Sequence, residues 1–168
     1  AGATLAGERQ MVAGSGSGGV DRIGGSGADH LLATYRELCI DHPVTRDHLL
    51  RLHAEEHIRQ STNARVRATV KAGGTPGPAA SIGKVHQGRL NQQLQLAACE
   101  LSGMEAIAWE GDWLDDMPYA TKGMIRSRAN TIEGGTTEVN KNVLGEQVLG
   151  LPREPDPYHG VAWKETPR

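Results

Sequence analysis

The stretch PVTRDHLLRLHAEEHIRQSTNARVRATVK, residues 43–71, decides the fold. Asp41-His42-Pro43 interrupts the chain and sets a proline where a first helical turn accepts one. Leu50, Ala54, Ile58, Thr62, Val66 and Val70 then recur every four residues, with charged side chains opposite. That row predicts a long amphipathic helix running to about Lys71, with the row facing the core. Gly73-Gly74-Thr75-Pro76-Gly77-Pro78 follows, a breaker that no helix crosses.

On the N-terminal side, residues 29–40 predict a short helix with Leu31, Leu32, Tyr35, Leu38 and Cys39 on one face. Residues 14–27, GSGSGGVDRIGGSG, read as a loop or linker, and residues 1–12 as the end of a helix already under way. On the C-terminal side a second long helix is expected over about 79–101, with Ile82, Leu90, Leu94, Ala97 and Leu101 inward, closed by Ser102-Gly103. A less regular Trp-bearing acidic segment precedes a helix over about 118–129. A turn at 130–135 leads to a final helix capped by Thr136 or Thr137 and ending near Val148. Pro152, Pro155 and Pro157 keep the remainder extended. No stretch alternates with the period of a strand, and there is no internal repeat. The expected architecture is all-α, an antiparallel up-and-down four-helix bundle over residues 1–150 with an extended tail over 151–168.

Composition narrows the function. The 168 residues suffice for one domain with a real core. A net charge of −2 gives no sign of binding to nucleic acid or to an acidic membrane surface. No apolar run approaches the ~20 residues of a membrane span, and no signal peptide is visible. Only 38% of residues are hydrophobic and Phe is absent, so part of the surface is expected to pack on something outside this stretch. The chain reads as a piece of a longer protein. Cys39 and Cys99 lack metal or redox spacing and read as small core residues of a cytoplasmic protein.

Common motifs contribute little. Gly14, Gly16 and Gly19 match the form of a dinucleotide-binding loop, but no strand precedes them. His53 and His57 stand four apart on the long helix, with no second pair to complete a metal site, and Glu55 and Glu56 suggest a solvated face there.

The segment RSRANTIEGGTTEV, residues 126–139, with GLPREP at 150–155 beyond the final helix, resembles the C-terminal signature of the acyl-CoA dehydrogenase family. The physics of the string agrees. Gly134-Gly135 lets the backbone approach a ligand closely, and Thr136, Thr137 and Glu138 stand at a helix N-terminus suited to a phosphate or ribose. The resemblance implies a FAD-dependent oxidoreductase that dehydrogenates an acyl-CoA to the trans-2-enoyl-CoA in fatty acid or steroid catabolism. It further implies FAD binding by Gly135, Thr136, Thr137 and Glu138, and electron-transfer flavoprotein as electron acceptor.

In many members the base precedes Gly-Thr directly, a position held here by Gly134; Glu133 lies one residue earlier. Other members carry the base on an earlier helix in a Leu-x-x-Glu-Arg context, matched here by Leu5-Ala6-Gly7-Glu8-Arg9. The resemblance therefore implies Glu8 as the base, with Glu133 as the alternative, and Arg9 and Gly134 on the substrate side. Gly134 would polarise the thioester carbonyl through its backbone N–H. The chain departs from the family at Asp41–Arg46, where a segment reaching the neighbouring subunit's flavin is usual, and at Gln147, where many members have Arg. Divergent members with these features pair unlike subunits in actinobacterial lipid and steroid breakdown. A homo- or hetero-oligomer, dimer or tetramer, is thus expected, and a non-catalytic partner subunit or assembly module is the alternative function. The isolated chain is expected neither to hold FAD well nor to turn over.

Overall fold

The computed structural model describes residues 26–74, 80–108, 111, 116–155, 157–158 and 160–166. Among them there are five α-helices and no strand: α1 (Ala28–Glu37), α2 (Pro43–Lys71), α3 (Ala80–Ser102), α4 (Tyr119–Ser127) and α5 (Thr137–Gln147). Short 3₁₀ turns cover Gly103–Ala106, Arg128–Thr131 and Trp163–Glu165. The described chain is all-α, as the periodicity predicts.

The corner between α1 and α2 is built by local chemistry. Pro43 opens α2, and the His42 ring accepts from the Thr45 N–H at 3.3 Å. Tyr35 closes the corner from α1: its hydroxyl donates to the His42 carbonyl at 3.1 Å and accepts from the His42 N–H at 3.2 Å. Cys39 lies in this corner with φ +50, exposed rather than in the core as expected.

The length of α2 matches the sequence reading, but its inward face does not. Leu50, Ile58 and Val70 are exposed, while Leu49, Leu52, Arg59 and Asn63 are buried. The inward row is 49, 52, 56, 59, 63, whose alternating three- and four-residue steps also trace one helix face. It was hidden because its second half is polar, and those polar groups have partners. Glu56 accepts from the Ala28 N–H at 2.8 Å, capping α1, and from Arg59 Nη2 at 3.4 Å. The expected solvated face at Glu55–Glu56 is therefore half-buried structure, with Glu55 also paired to the His86 ring at 3.4 Å.

Helix α3 is the axis of the fold and contacts all four other helices. Its Leu90, Leu94, Ala97 and Ala98 join Ala28, Leu31, Tyr35, Leu49 and Leu52 in one core, with Leu101 half-buried against it. Ile82, expected inward, is exposed. Two α3 glycines allow close approach. A Cβ at Gly83 would stand 2.9 Å from the Asn63 side chain, and one at Gly88 would stand 3.1 Å from the Asn130 carbonyl.

Candidate functional site: the glycine turn before the last helix

Residues 126–138 approach α5 as the end of α4, a 3₁₀ turn, and two glycines. Gly134 is buried with φ +67, and Gly135 follows at φ +90. Two successive left-handed residues are costly for any side chain bearing a Cβ. They reverse the chain so that Thr136 returns to extended geometry and caps α5, its hydroxyl accepting from the Val139 N–H at 3.2 Å. Of the two expected caps, Thr136 is the one that forms.

Buried Asn140 holds the turn from within α5. Its side-chain amide donates to the Gly135 carbonyl at 3.1 Å and to the Thr136 carbonyl at 2.9 Å. Thr137 and exposed Glu138 lie in the first turn of α5, where backbone N–H groups have no intrahelical acceptor and the dipole favours negative charge. The result is a Thr136-capped helix end beside a stretch of backbone that carries no side chains. This suits the phosphate or ribose hydroxyls of a dinucleotide, so the residues present fit the cofactor that the sequence resemblance implies.

Glu133 points elsewhere. Its carboxylate accepts from Arg126 Nη2 at 2.7 Å and from Asn130 Nδ2 at 2.7 Å. The other terminal nitrogen of Arg126, Nη1, is buried with no hydrogen-bond partner. Glu8 and Arg9 lie outside the described residues, as do Gly14, Gly16 and Gly19. Gly134, Gly135, Thr136, Thr137 and Glu138 are therefore brought together, with Glu133 tied beside them as an ion-paired acceptor.

The polar side chains that support this turn were not picked out from sequence. Asn91, Gln95, Asn130 and Asn140 form a mostly buried amide set between α3 and the turn. The signal for two of them was available: Asn91 and Gln95 each directly follow a core leucine, Leu90 and Leu94, so they flank the buried row of α3. His53 and His57 pack edge to face with centroids 4.7 Å apart, and His53 pairs with Asp29 at 3.2 Å. Among the described residues no three metal-binding side chains converge, and no helix is long and apolar enough to cross a membrane.

At the far end of α5 the chain folds back. Gly150 takes φ +67, the Leu151 N–H donates to the Gly145 carbonyl at 2.9 Å, and Arg153 pairs with Glu146 at 3.2 Å. The GLPR string is thus the closure of this helix, joined to the glycine turn by α5 itself.

The model of the acyl-CoA dehydrogenase C-terminal domain matches residues 1–149. Acyl-CoA dehydrogenase IpdE1 of Mycolicibacterium smegmatis is 32% identical over 74 residues, which are 44% of this chain and 18% of that protein. In three dimensions the chain is similar to the Tcur3481-Tcur3483 steroid ACAD, with a TM-score of 0.65 and 20% identity over 76% of this chain and 34% of that one. A glycine-to-alanine variant of the same protein superposes with a TM-score of 0.63. The chain thus spans about a third of the solved structures it resembles and less of the curated relative.

Proposed function

The chain belongs to the acyl-CoA dehydrogenase family through its C-terminal domain, and on that premise we propose that it is the helical C-terminal part of a FAD-dependent enzyme converting an acyl-CoA to the trans-2-enoyl-CoA. The observation that carries the reading is the Gly134–Gly135 turn, left-handed at both residues and opening onto the Thr136-capped end of α5. Gly135, Thr136, Thr137 and Glu138 form the cofactor-side surface. FAD held there would supply the hydride acceptor for the β-carbon of the acyl chain.

The protein's own work is acid–base and electrostatic. Glu8 takes the α-proton, Arg9 supports the charge beside it, and the backbone at Gly134 polarises the thioester carbonyl. A carboxylate that already accepts from a guanidinium and an amide is poorly placed to take a proton from carbon. This supports Glu8 over Glu133. Residues 1–150 act as one domain, with 151–168 as a tail closing α5. The antiparallel four-helix arrangement belongs to the same proposal, with α3 as the shared neighbour.

The exposed apolar row of α2, Leu50, Ile58 and Val70, supports assembly as a homo- or hetero-oligomeric dimer or tetramer. Electron-transfer flavoprotein is the proposed electron acceptor and the cytoplasm the proposed location. Resemblance to a steroid ACAD makes acyl-CoAs with steroid-like chains the first substrates to assay.

The decisive measurement is bleaching of the flavin by acyl-CoA in the full-length protein. Glu8→Gln should abolish bleaching and leave FAD bound. Unchanged bleaching in that variant would remove Glu8 and make Glu133→Gln the next test. A wild-type protein that holds FAD yet never bleaches is instead the non-catalytic partner subunit, a reading favoured by the glycine at 134 and the ion-paired state of Glu133.

A further inference from the structure

Segment 126–133 reaches the glycine turn against one face of α3. Lys84, Gly88, Asn91 and Gln95 recur there at four-, three- and four-residue steps and so share that face. Lys84 donates to the Asn130 carbonyl, and Gly88 leaves the space in which that carbonyl sits. Asn91 Nδ2 donates to Asn130 Oδ1 at 2.6 Å, and Asn91 Oδ1 accepts from Gln95 Nε2 at 2.9 Å. Gln95 is fully buried and grips the backbone of Ser26 twice: Oε1 accepts from its N–H at 2.8 Å, and Nε2 donates to its carbonyl at 3.0 Å. At the other end, Asn130 Nδ2 donates to Glu133 Oε1.

These bonds have a direction. An ionised carboxylate only accepts, so Asn130 must turn its Nδ2 to Glu133 and its Oδ1 to Asn91. Asn91 must then present Oδ1 to Gln95, and Gln95 must present Oε1 to the Ser26 N–H. The carboxylate at one end and the Ser26 backbone at the other thus fix the same orientation of three amides across the core.

We infer that Asn130 and Glu133 are positioning residues: through the line Glu133–Asn130–Asn91–Gln95 they fix the conformation of the Gly134–Gly135 turn and lock it to the chain at Ser26. What the turn then holds rests on the function proposed above; that the turn is held in this way does not. Asn130 is the junction, because its side chain joins Asn91 to Glu133 while its backbone carbonyl is gripped by Lys84.

Reversal of bond polarity tests this in the full-length protein. Asn130→Asp sets two carboxylates against each other, and Glu133→Gln leaves one oxygen where the carboxylate used two, one for Asn130 and one for Arg126. The double variant N130D/E133Q keeps the net charge, reverses the bond between positions 130 and 133, and leaves the Asn91 and Arg126 bonds in their original direction. The amide introduced at position 133 then donates to the carboxylate introduced at position 130 and accepts from Arg126. Amide hydrogen exchange across 130–138 should quicken about tenfold in each single variant and return to within about threefold of wild type in the double. Exchange within α2 should stay unchanged. Flavin reduction by acyl-CoA should follow the same pattern, falling in kcat with KM little altered. If Asn130→Asp fails to fold, Glu133→Gln against the double variant carries the same comparison. Unchanged exchange in the single variants, or no recovery in the double, overturns the inference. Wild-type protein that is never reduced by acyl-CoA overturns the proposed function instead, and the exchange data still decide how the turn is held.

Discussion

At the scale of single residues, the turn depends on groups that cannot be exchanged for their nearest relatives. Asn140 is almost wholly buried and is the donor to both the Gly135 and Thr136 carbonyls. Asn140→Ala should cost about 1–3 kcal/mol, because it removes the side-chain donor to the Gly135 carbonyl and leaves the Thr136 carbonyl only the backbone N–H of position 140; urea denaturation with an unchanged m-value would register it. Cys99 offers a chemical probe. Burial pushes its thiol up from the ordinary cysteine range, opposed by a hydrogen bond with Thr121 and reinforced by the charge of Glu100. The sign follows directly: the unfolded thiol ionises first as pH rises, so the folded state loses relative stability from the ordinary thiol range upward until the raised folded value is passed. Cys99→Ala should remove that alkaline decline in a melting-temperature series. A disulfide reagent near neutral pH should label exposed Cys39 well before Cys99.

At the scale of elements, the two faces of α2 have separate roles. Leu52 lies in the core row and Ile58 on the exposed one. Leu52→Ala should cost about 2–5 kcal/mol by leaving a cavity. Ile58→Glu should alter the stability of the fold by less than about 0.5 kcal/mol while weakening self-association. Thermal denaturation and sedimentation velocity on the same two variants separate the roles, and an oligomer indifferent to Ile58→Glu would show that this row is not a contact. Helix α5 offers a milder case. Thr136→Ala removes its cap and should cost about 0.5–2 kcal/mol, with the first turn of α5 fraying ahead of the rest.

At the scale of the molecule, the fold is a modest core supplemented by internal polar bonds. Among the described residues ten apolar side chains are buried, four of them alanines, against eighteen large apolar side chains left exposed. A domain with that balance would gain stability from any surface that covers it. The full-length assembled protein should therefore melt well above the isolated chain, and dilution below the association range should lower its melting point.

Sequence alone determined the helices, because caps, prolines and glycine breaks act over three or four neighbouring residues. The bounds of α2 and the cap of α5 were legible for that reason, and so was the glycine turn, since two adjacent glycines before a capping threonine open the left-handed conformations a tight turn needs and other residues avoid. Tertiary structure decided which face of α2 is inward. Leu50 and Leu49 are equally apolar, and only the positions of α1 and α3 distinguish them. It also decided the role of Glu133: its partner Asn130 is local, but the line through Asn91 and Gln95 to Ser26 crosses sixty-nine residues of sequence at its last step. A polar residue at a buried position has no periodic signature of its own. Its meaning lies in the partner that satisfies it, and packing alone brings the partner there.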